Sequence, residues 1–190
     1  MEQSMKRALL VIDMQNDYFP GGKMELVGIN KASAIVAQLL AMFRTKKQPI
    51  FHIQHLSISP GATFFLPDTE GAKIHASVAP KGGESVITKK FPNSFRKTTL
   101  LEELQNCGIK ELVVCGAMSH MCIDTTVRAG FDLDLSCIVV ADGCATKDLS
   151  YGGQIIEAAQ VQGAYMASLA AVFAKVTELS EIEALLNPGP

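Results

Sequence analysis

Residues 111–130 read ELVVCGAMSHMCIDTTVRAG, a short apolar run that leads through a glycine into a helix-like segment. Residues 112–115 have the pattern of a buried strand, and Gly116 is expected to end it. Residues 122–129 have helical spacing, and Gly130 is expected to stop the helix. This succession of strand, turn and helix is the unit from which the fold can be predicted, because it recurs along the chain.

The same alternation extends on both sides of this stretch. Further strand-like and helix-like runs follow one another along the chain; the strands are predicted at 8–12, 49–53, 85–88, 112–115, 138–141 and 172–176, and the helices at 32–43, 98–104, 122–129 and 154–167. Strands that are apolar throughout and separated by helices are typical of a parallel sheet covered on both faces. The sequence therefore predicts a three-layer, doubly wound α/β fold with a mostly parallel six-stranded sheet, in one domain spanning 1–190.

One long stretch breaks the alternation. Residues 55–83 are rich in Gly, Pro, Ser and Phe and show no clear period. At this length a connection is usually functional rather than a simple turn. We expect a flap over the site or an arm at a subunit interface.

Composition limits the classes of partner. With 17 Lys and Arg against 19 Asp and Glu, the net charge is −2, so no basic field is available for nucleic acid or an anionic membrane.

The first apolar run is too short for a signal peptide, and no run of eighteen apolar residues predicts a membrane span. The five cysteines form no zinc-type spacing, which favours a reducing, cytoplasmic location. The 48% apolar content indicates extensive burial and favours a homo-oligomer.

Three reactive side chains fall where predicted strands end. Asp13 ends the first strand, Lys89 follows the third, and Cys122 follows the fourth across a tight turn. Ligands of open parallel sheets gather beyond the carboxyl ends of the strands. Each residue also has an ordinary structural interpretation: Asp13 as a turn residue, Lys89 and Lys90 as a solvated pair, and Cys122 as a buried core side chain.

Together an acid, a cation and a thiol suit nucleophilic catalysis. A thiol in the first turn of a helix faces unpaired N–H groups and the positive end of the helix dipole, which predicts a lowered pKa for Cys122 and a reactive thiolate. Asp13 could take the thiol proton and return it to a leaving amine, while Lys89 stabilises the thiolate. Backbone N–H groups of the turn could bind the developing oxyanion.

Four segments, at 8–22, 86–100, 113–130 and 139–146, resemble the isochorismatase-like cysteine hydrolases, a family that includes nicotinamidases and N-carbamoylsarcosine amidase-like enzymes. The resemblance implies an Asp–Lys–Cys triad at Asp13, Lys89 and Cys122. Lys89 is preferred to Lys90 because Phe95 follows it at the family's spacing of six. The family's cis peptide would join Ala117 to Met118 and direct the N–H groups of Met118 and Cys122 to the oxyanion.

The resemblance also implies a reaction and leaves alternatives open. A cysteine nucleophile favours hydrolysis of a C–N bond in a small molecule through an acyl-enzyme. Nicotinamidases carry Asp-x-His and a further His as metal ligands after the second strand, whereas this chain has His55 and Ser57 at the Asp-x-His positions. We therefore expect a metal-independent enzyme without a cofactor. The alternatives are a nicotinamidase with an atypical site using His52 and His55, and a catalytically silent ligand-binding or scaffold protein.

Several residues are candidates for the substrate pocket, because apolar walls with a few polar groups suit a small ligand. The proposed lining residues are Gln15, Phe19, His55, Phe91 and His120, with Phe64, Phe65 and Tyr151 as further candidates. Members of the family commonly form dimers or larger assemblies, so we expect a homo-oligomer, a dimer or tetramer.

Overall fold

The protein is described by a computed structural model that covers residues 6–186. Its main element is a six-stranded sheet in which all five strand pairs are parallel. The strands of this sheet are β1 (Arg7–Ile12), β2 (Ile50–His55), β3 (Ser85–Lys89), β4 (Glu111–Ala117), β5 (Ser136–Ala145) and β8 (Lys175–Thr177). Two further short strands, β6 (Leu149–Tyr151) and β7 (Gln154–Ile156), pair with each other. The α-helices are α1 (Ile29–Thr45), α2 (Leu100–Asn106), α3 (Asp124–Asp132), α4 (Ala158–Val172) and α5 (Leu179–Leu186).

The order of strands in the sheet is β3-β2-β1-β4-β5-β8. The chain winds outward from β1 to one edge, returns to the centre at β4 and then winds to the other edge. The point of reversal therefore lies between β1 and β4, where Arg7 to Ile12 pair with Glu111 to Gly116. In open parallel sheets this is the place where the strand ends leave a crevice for ligands.

Two separate apolar clusters show that helices cover both faces of the sheet. One cluster packs side chains of α1, such as Val36 and Leu40, against one face together with Ile182 of α5. The other packs Leu104 of α2, Val127 of α3 and Leu169 of α4 against the opposite face. The prediction of a three-layer α/β fold with a parallel six-stranded sheet is confirmed.

Two glycines behave differently from the sequence prediction. Gly116 was expected to end its strand, but β4 continues through it to Ala117, with Gly116 at a φ of +122°. Gly130 was expected to stop the helix, but α3 runs on to Asp132. Gly116 is needed for close packing between neighbouring strands, because an added Cβ would lie 2.1 Å from the carbonyl oxygen of Ile12.

The segment before α4 was predicted to be helical and is not. Residues 154–156 form β7, which pairs antiparallel with β6 in a two-stranded hairpin, and the helix begins only at Ala158. The turn between the strands is Gly152–Gly153, with both residues at positive φ. A Gly-Gly pair between short strands is a hairpin signal that the helical spacing obscured.

The long segment 55–83 packs against the region just beyond β1. It contains two short 3₁₀ turns, Glu70–Ala72 and Ala76–Val78. The buried carboxylate of Asp17 accepts a hydrogen bond from the backbone N–H of Phe65 at 2.7 Å, and there is no space for a side chain at Gly71 beside it. This carboxylate ties the middle of the segment to the turn that follows Asp13. Its role as a flap or an interface arm stays a prediction.

Among residues 6–186, no helix has both the length and the apolar character needed to cross a bilayer.

Replacing Gly116 with Ala should destabilise the protein by about 3 kcal/mol, because a Cβ would collide with the backbone of β1 at an unfavourable φ. The matched control is Gly82→Ala, where the added Cβ meets no atom within 4 Å. Urea unfolding of both variants measures the difference. Equal unfolding midpoints for the two variants would show that β1 and β4 can move apart at no cost.

Candidate active site

Three strand ends bring the predicted reactive side chains together. Asp13 follows β1 directly, and Cys122 lies in a single turn of π-helix, Ser119–Ile123, between β4 and α3. Lys89 is the last residue of β3, which is separated from β1 by β2. The lysine side chain therefore has to extend past the end of β2 to reach the central crevice.

The Lys89 ammonium lies between the acid and the thiol. Its Nζ is 2.8 Å from Asp13 Oδ2 and 3.1 Å from Cys122 Sγ. The side chains of Asp13 and Lys89 are fully buried, and Cys122 is 3% exposed. Lys90, in contrast, is exposed. Asp13, Lys89 and Cys122 thus form the constellation that the sequence predicted, with Lys89 rather than Lys90 facing the acid.

The charged forms of Asp13 and Lys89 stabilise each other. Burial acts to raise the pKa of Asp13, but the Lys89 ammonium, the largest opposing influence, holds that pKa below its usual value. Burial acts to lower the pKa of Lys89, but Asp13 and Cys122 outweigh it and hold that pKa above its usual value. The pair is therefore a carboxylate and an ammonium at neutral pH.

The thiol differs from the sequence prediction. Burial first, and then the neighbouring Asp13 carboxylate, raise the pKa of Cys122 far above its usual value, and Lys89 offsets this only in part. The predicted lowered pKa is wrong, because Cys122 is enclosed in the π-helical turn beside a carboxylate instead of standing at an exposed helix end. The resting group is a neutral thiol, which would have to lose its proton to act as a nucleophile.

Asp13 has an oxygen available for that proton. Its carboxylate is completely buried, and among the described residues Oδ1 has no hydrogen-bond partner. Burying an unpaired carboxylate oxygen is unfavourable unless a donor reaches it. The thiol of Cys122 is the neighbouring group that can supply such a donor, and the two side chains interact closely enough to affect each other's pKa.

The turn before Cys122 is tightly built. The peptide bond between Ala117 and Met118 is cis, as the resemblance implied. The carbonyl of Met118 accepts hydrogen bonds from the N–H groups of Met121 and Ile123, at 3.0 and 3.2 Å. The turn thereby holds Cys122 over the end of β4. The part that the N–H groups of Met118 and Cys122 play toward an oxyanion stays a prediction.

Two of the proposed pocket residues are buried in the segment beyond β1. The side chain of Gln15 binds backbone groups, donating to the carbonyls of His55 and Ala72 and accepting from the N–H of His55. Phe19 is 4% exposed and its ring stacks on His75 at 3.6 Å. Gln15 therefore holds β2 and the long segment in place, and its predicted contact with substrate is untested.

The remaining pocket candidates differ in their contacts and in their exposure. His55 Nδ1 is 3.1 Å from Lys89 Nζ, and the carbonyl of Phe91 accepts a hydrogen bond from the same ammonium. His120, two residues before Cys122, binds the hydroxyl of Thr146. The structure places the last three candidates as follows: Phe65 buried and Phe64 half-buried in an aromatic group with Tyr18, and Tyr151 83% exposed on the β6–β7 hairpin.

The sequence interpretation missed Tyr18. This tyrosine is 1% exposed and packs against Phe65 with ring centroids 4.5 Å apart. Burial, then Cys122 and Asp13, raise the pKa of its hydroxyl, so Tyr18 is a neutral group near the site. Its position five residues after Asp13 in the turn following β1 was the available signal.

The two histidines of the proposed atypical metal site do not come together. His52 and His55 are three residues apart on β2, so their side chains point to opposite faces. His52 Nε2 binds Glu84 Oε2 at 2.9 Å, away from the thiol. Over residues 6–186, the group whose ligand atoms could enclose a metal is instead Asp13, His55 and Cys122, and the Lys89 ammonium already lies within hydrogen-bond distance of all three.

Comparison with known proteins gives one consistent family. Residues 7–179 match the isochorismatase domain. The uncharacterized isochorismatase family protein YddQ of Bacillus subtilis is 52% identical over 172 residues, covering 90% of this chain and 96% of YddQ. A crystal structure from Oleispira antarctica, described as an isochorismatase hydrolase, superimposes with a TM-score of 0.92 at 46% identity, covering 97% of this chain and 99% of its own.

More distant relatives carry names of activities. Streptothricin hydrolase of Streptomyces noursei is 32% identical over 146 residues, which cover 75% of this chain and 51% of that protein. Nicotinamidase 3 of Arabidopsis thaliana is 28% identical over 151 residues, covering 73% of each chain.

Asp13→Asn should make Cys122 more reactive toward iodoacetamide, because losing the neighbouring negative charge lowers the pKa of the thiol. At pH 7.5 we expect labelling faster than in the wild type, by about tenfold for each pKa unit by which the pKa of the thiol falls. Peptide mapping after short exposure measures the rate, and Cys137, whose pKa burial raises to about 12, is the internal control. Slower labelling of Cys122 in the variant would mean that Asp13 normally keeps the thiol ionised.

Proposed function

The chain belongs to the isochorismatase family of hydrolases, and from that premise we propose that it is a cysteine hydrolase that cleaves a C–N bond of a small amide. The observation that carries the proposal is the contact of one ammonium with both an acid and a thiol: Lys89 Nζ lies 2.8 Å from Asp13 and 3.1 Å from Cys122. The remote relatives named nicotinamidase and streptothricin hydrolase support a hydrolytic reaction on a small molecule.

In the first half of the reaction, Asp13 acts as a general base. The thiol proton of Cys122 passes to the free Oδ1 of Asp13 as sulfur attacks the carbonyl carbon of the substrate. The carbonyl oxygen becomes an oxyanion, for which we assign the backbone N–H groups of Met118 and Cys122 as donors. The C–N bond then breaks, the leaving amine takes the proton from Asp13, and a thioester remains on Cys122.

In the second half, water replaces the amine. Asp13 accepts a proton from water while the water oxygen attacks the thioester carbon. The C–S bond breaks, the carboxylic acid leaves, and the proton on Asp13 returns to the sulfur. Lys89 remains charged throughout, because its contacts with Asp13 and Cys122 raise its pKa. Its part is to stabilise the transient thiolate, because a buried negative charge is unfavourable unless a positive group pairs with it.

Neither step requires a metal ion or a cofactor in this proposal. The position of Lys89 supports metal independence, because its ammonium supplies positive charge between Asp13, His55 and Cys122. Metal analysis of the purified protein tests this part independently. Stoichiometric zinc or iron that activates nicotinamide hydrolysis would favour a nicotinamidase with an atypical metal site.

We also propose that the enzyme works in the cytoplasm. All five cysteines are free, and four of them are buried, which fits a reducing compartment. Fractionation of the source cells with an antibody to the protein would check the location.

The triad variants should differ sharply in ammonia release from a panel of small primary amides. Cys122→Ser and Asp13→Asn should lose about 10²–10⁴-fold in kcat/KM, because each removes a group that bonds or moves a proton in the reaction. Lys89→Met should also lose activity, whereas Lys90→Met should retain it, since Lys90 is exposed. Coupled measurement of ammonia with glutamate dehydrogenase gives the rates.

Full activity in Cys122→Ser would exclude the acyl-enzyme. Absence of turnover on every amide, together with unchanged binding of a ligand in the Cys122→Ser variant, would favour the catalytically silent protein. Loss of activity in Lys90→Met with retention in Lys89→Met would contradict the assignment of the lysine.

We propose further that the protein is a homo-oligomer. None of the fifteen residues of α4 is charged, and its exposed side is built mainly of Gly and Ala. The β6–β7 hairpin beside it exposes 83% of Tyr151 and 74% of Ile155. An isolated two-stranded hairpin is marginally stable, so a neighbouring subunit would stabilise it. An uncharged helix whose outer side is mainly Gly and Ala is likewise typical of a buried element.

Light scattering at micromolar concentration should therefore give at least twice the 20.4 kDa mass of one chain. The double variant Tyr151→Ser, Ile155→Ser should shift the protein toward the monomer, because it removes the apolar side chains of the hairpin. Val86→Ser, an exposed valine on β3 at the far edge of the sheet, is the control. A wild type with the mass of a single chain refutes a stable oligomer.

A further inference from the structure

The Lys89 ammonium is surrounded by more hydrogen-bond acceptors than it has N–H groups to donate. Four acceptor atoms lie close to Nζ: Asp13 Oδ2 at 2.8 Å, Cys122 Sγ and His55 Nδ1 each at 3.1 Å, and the carbonyl oxygen of Phe91 at 3.2 Å. An ammonium has three N–H bonds, so these acceptors compete for them. The direction of each N–H bond is set by which acceptors hold it.

His55 belongs to this group through the topology of the sheet. It is the last residue of β2, the strand between the lysine's β3 and the aspartate's β1, and it stands opposite Lys89 in the parallel register. The lysine side chain must pass the imidazole to reach Asp13. Residues opposite each other on neighbouring strands carry their side chains on the same face, which accounts for the contact.

The backbone of His55 is held in place by Gln15. Gln15 forms two hydrogen bonds with its backbone, accepting from the N–H at 2.7 Å and donating to the carbonyl at 2.8 Å. The Phe65 ring lies 6.0 Å away, tilted against the imidazole. The backbone of His55 is thus held by Gln15, and its Nδ1 lies 3.1 Å from the Lys89 ammonium.

We propose that His55 is a positioning residue for the reaction: as the neutral tautomer with its proton on Nε2, it accepts a hydrogen bond at Nδ1 and so orients the Lys89 ammonium toward Asp13 and Cys122. Its part in the reaction rests on the proposed cysteine hydrolase function. With one N–H bond donated to His55 and one to Asp13, the third is left for Cys122 Sγ and the carbonyl oxygen of Phe91, which lie 3.1 and 3.2 Å from Nζ.

The chemistry of the neighbours determines the tautomer. The ammonium can only donate, so a proton on Nδ1 would place two donors 3.1 Å apart. The other group that faces Nδ1, the Asp13 carboxylate, is 3.7 Å away, beyond hydrogen-bond distance. The groups facing the imidazole are therefore Asp13 after β1, Lys89 of β3, the thiol of Cys122 and the Phe65 ring.

Two variants distinguish the effect of the hydrogen-bond acceptor from the effect of side-chain volume. His55→Asn places its amide oxygen near the position of Nδ1, because both atoms are bonded to Cγ, so it keeps the acceptor. His55→Leu has similar size but no acceptor. We expect His55→Asn to stay within about threefold of wild-type kcat on the best amide. His55→Leu should lose about 10- to 100-fold in kcat with little change in KM, the effect of losing one hydrogen bond to a charged group. Thermal melts confirm that both variants fold.

A measurement without substrate tests the tautomer directly. Long-range ¹H–¹⁵N correlation spectra of the imidazole groups at pH 7.5 should show His55, assigned by its absence in His55→Asn, with the proton on Nε2 alone. In Lys89→Met the His55 signals should change, while those of His52, which binds Glu84 elsewhere, should not.

Each outcome decides for or against the proposal. A wild-type His55 that is doubly protonated or carries its proton on Nδ1 overturns it. Equal loss in the Asn and Leu variants, or a loss expressed in KM, would make His55 a contact for substrate and refute the positioning role. If the wild type hydrolyses no amide, the proposed function fails, and the tautomer spectra still test the interaction of His55 with Lys89.

Discussion

The buried ion pair between Asp13 and Lys89 constrains the rest of the site. Both side chains are fully buried and their charged atoms are 2.8 Å apart. Removing one member of such a pair leaves an uncompensated buried charge, at a cost of about 3–5 kcal/mol. Asp13 and Lys89 must therefore lie together, and the sheet achieves this because β1 and β3 end at the same edge. Every further contact of the ammonium, with Cys122, His55 and Phe91, depends on that placement.

Under the proposed mechanism, the same pair explains how a buried thiol reacts. A free negative charge on sulfur at this depth would be unstable, and the neighbouring carboxylate makes it more so. A neutral thiol avoids that cost in the resting protein. In the proposed reaction, deprotonation on attack moves the proton to Asp13, so the thiolate and the carboxylate need not be present together. The net charge of the three groups is zero before and after this transfer, with the ammonium balancing one negative group in both states.

Polar groups outside the three reactive residues hold the strand ends in register. Gln15 spans from the turn after β1 to the end of β2 and to the long segment at Ala72. Asp17 holds the same segment through the N–H of Phe65. Both side chains lie within four residues of Asp13, so one short turn supplies the acid and the two anchors around it. This is a physical reason why residues 13–17 contain so many buried polar groups.

The sequence by itself determined the layers of the fold and which candidate residues stand at the strand ends. Apolar strands that alternate with helices require a parallel sheet with two covered faces, and polar residues at strand ends then meet at one edge. Asp13, Lys89 and Cys122 could be found from these patterns and their resemblance to a known family. Tertiary structure alone decided the ionisation of the thiol, since burial and distance to Asp13 are not properties of a local segment. It also decided the contact of His55 with Lys89 and the separation of His52 from His55, because these follow from strand order, register and the alternation of side chains between faces.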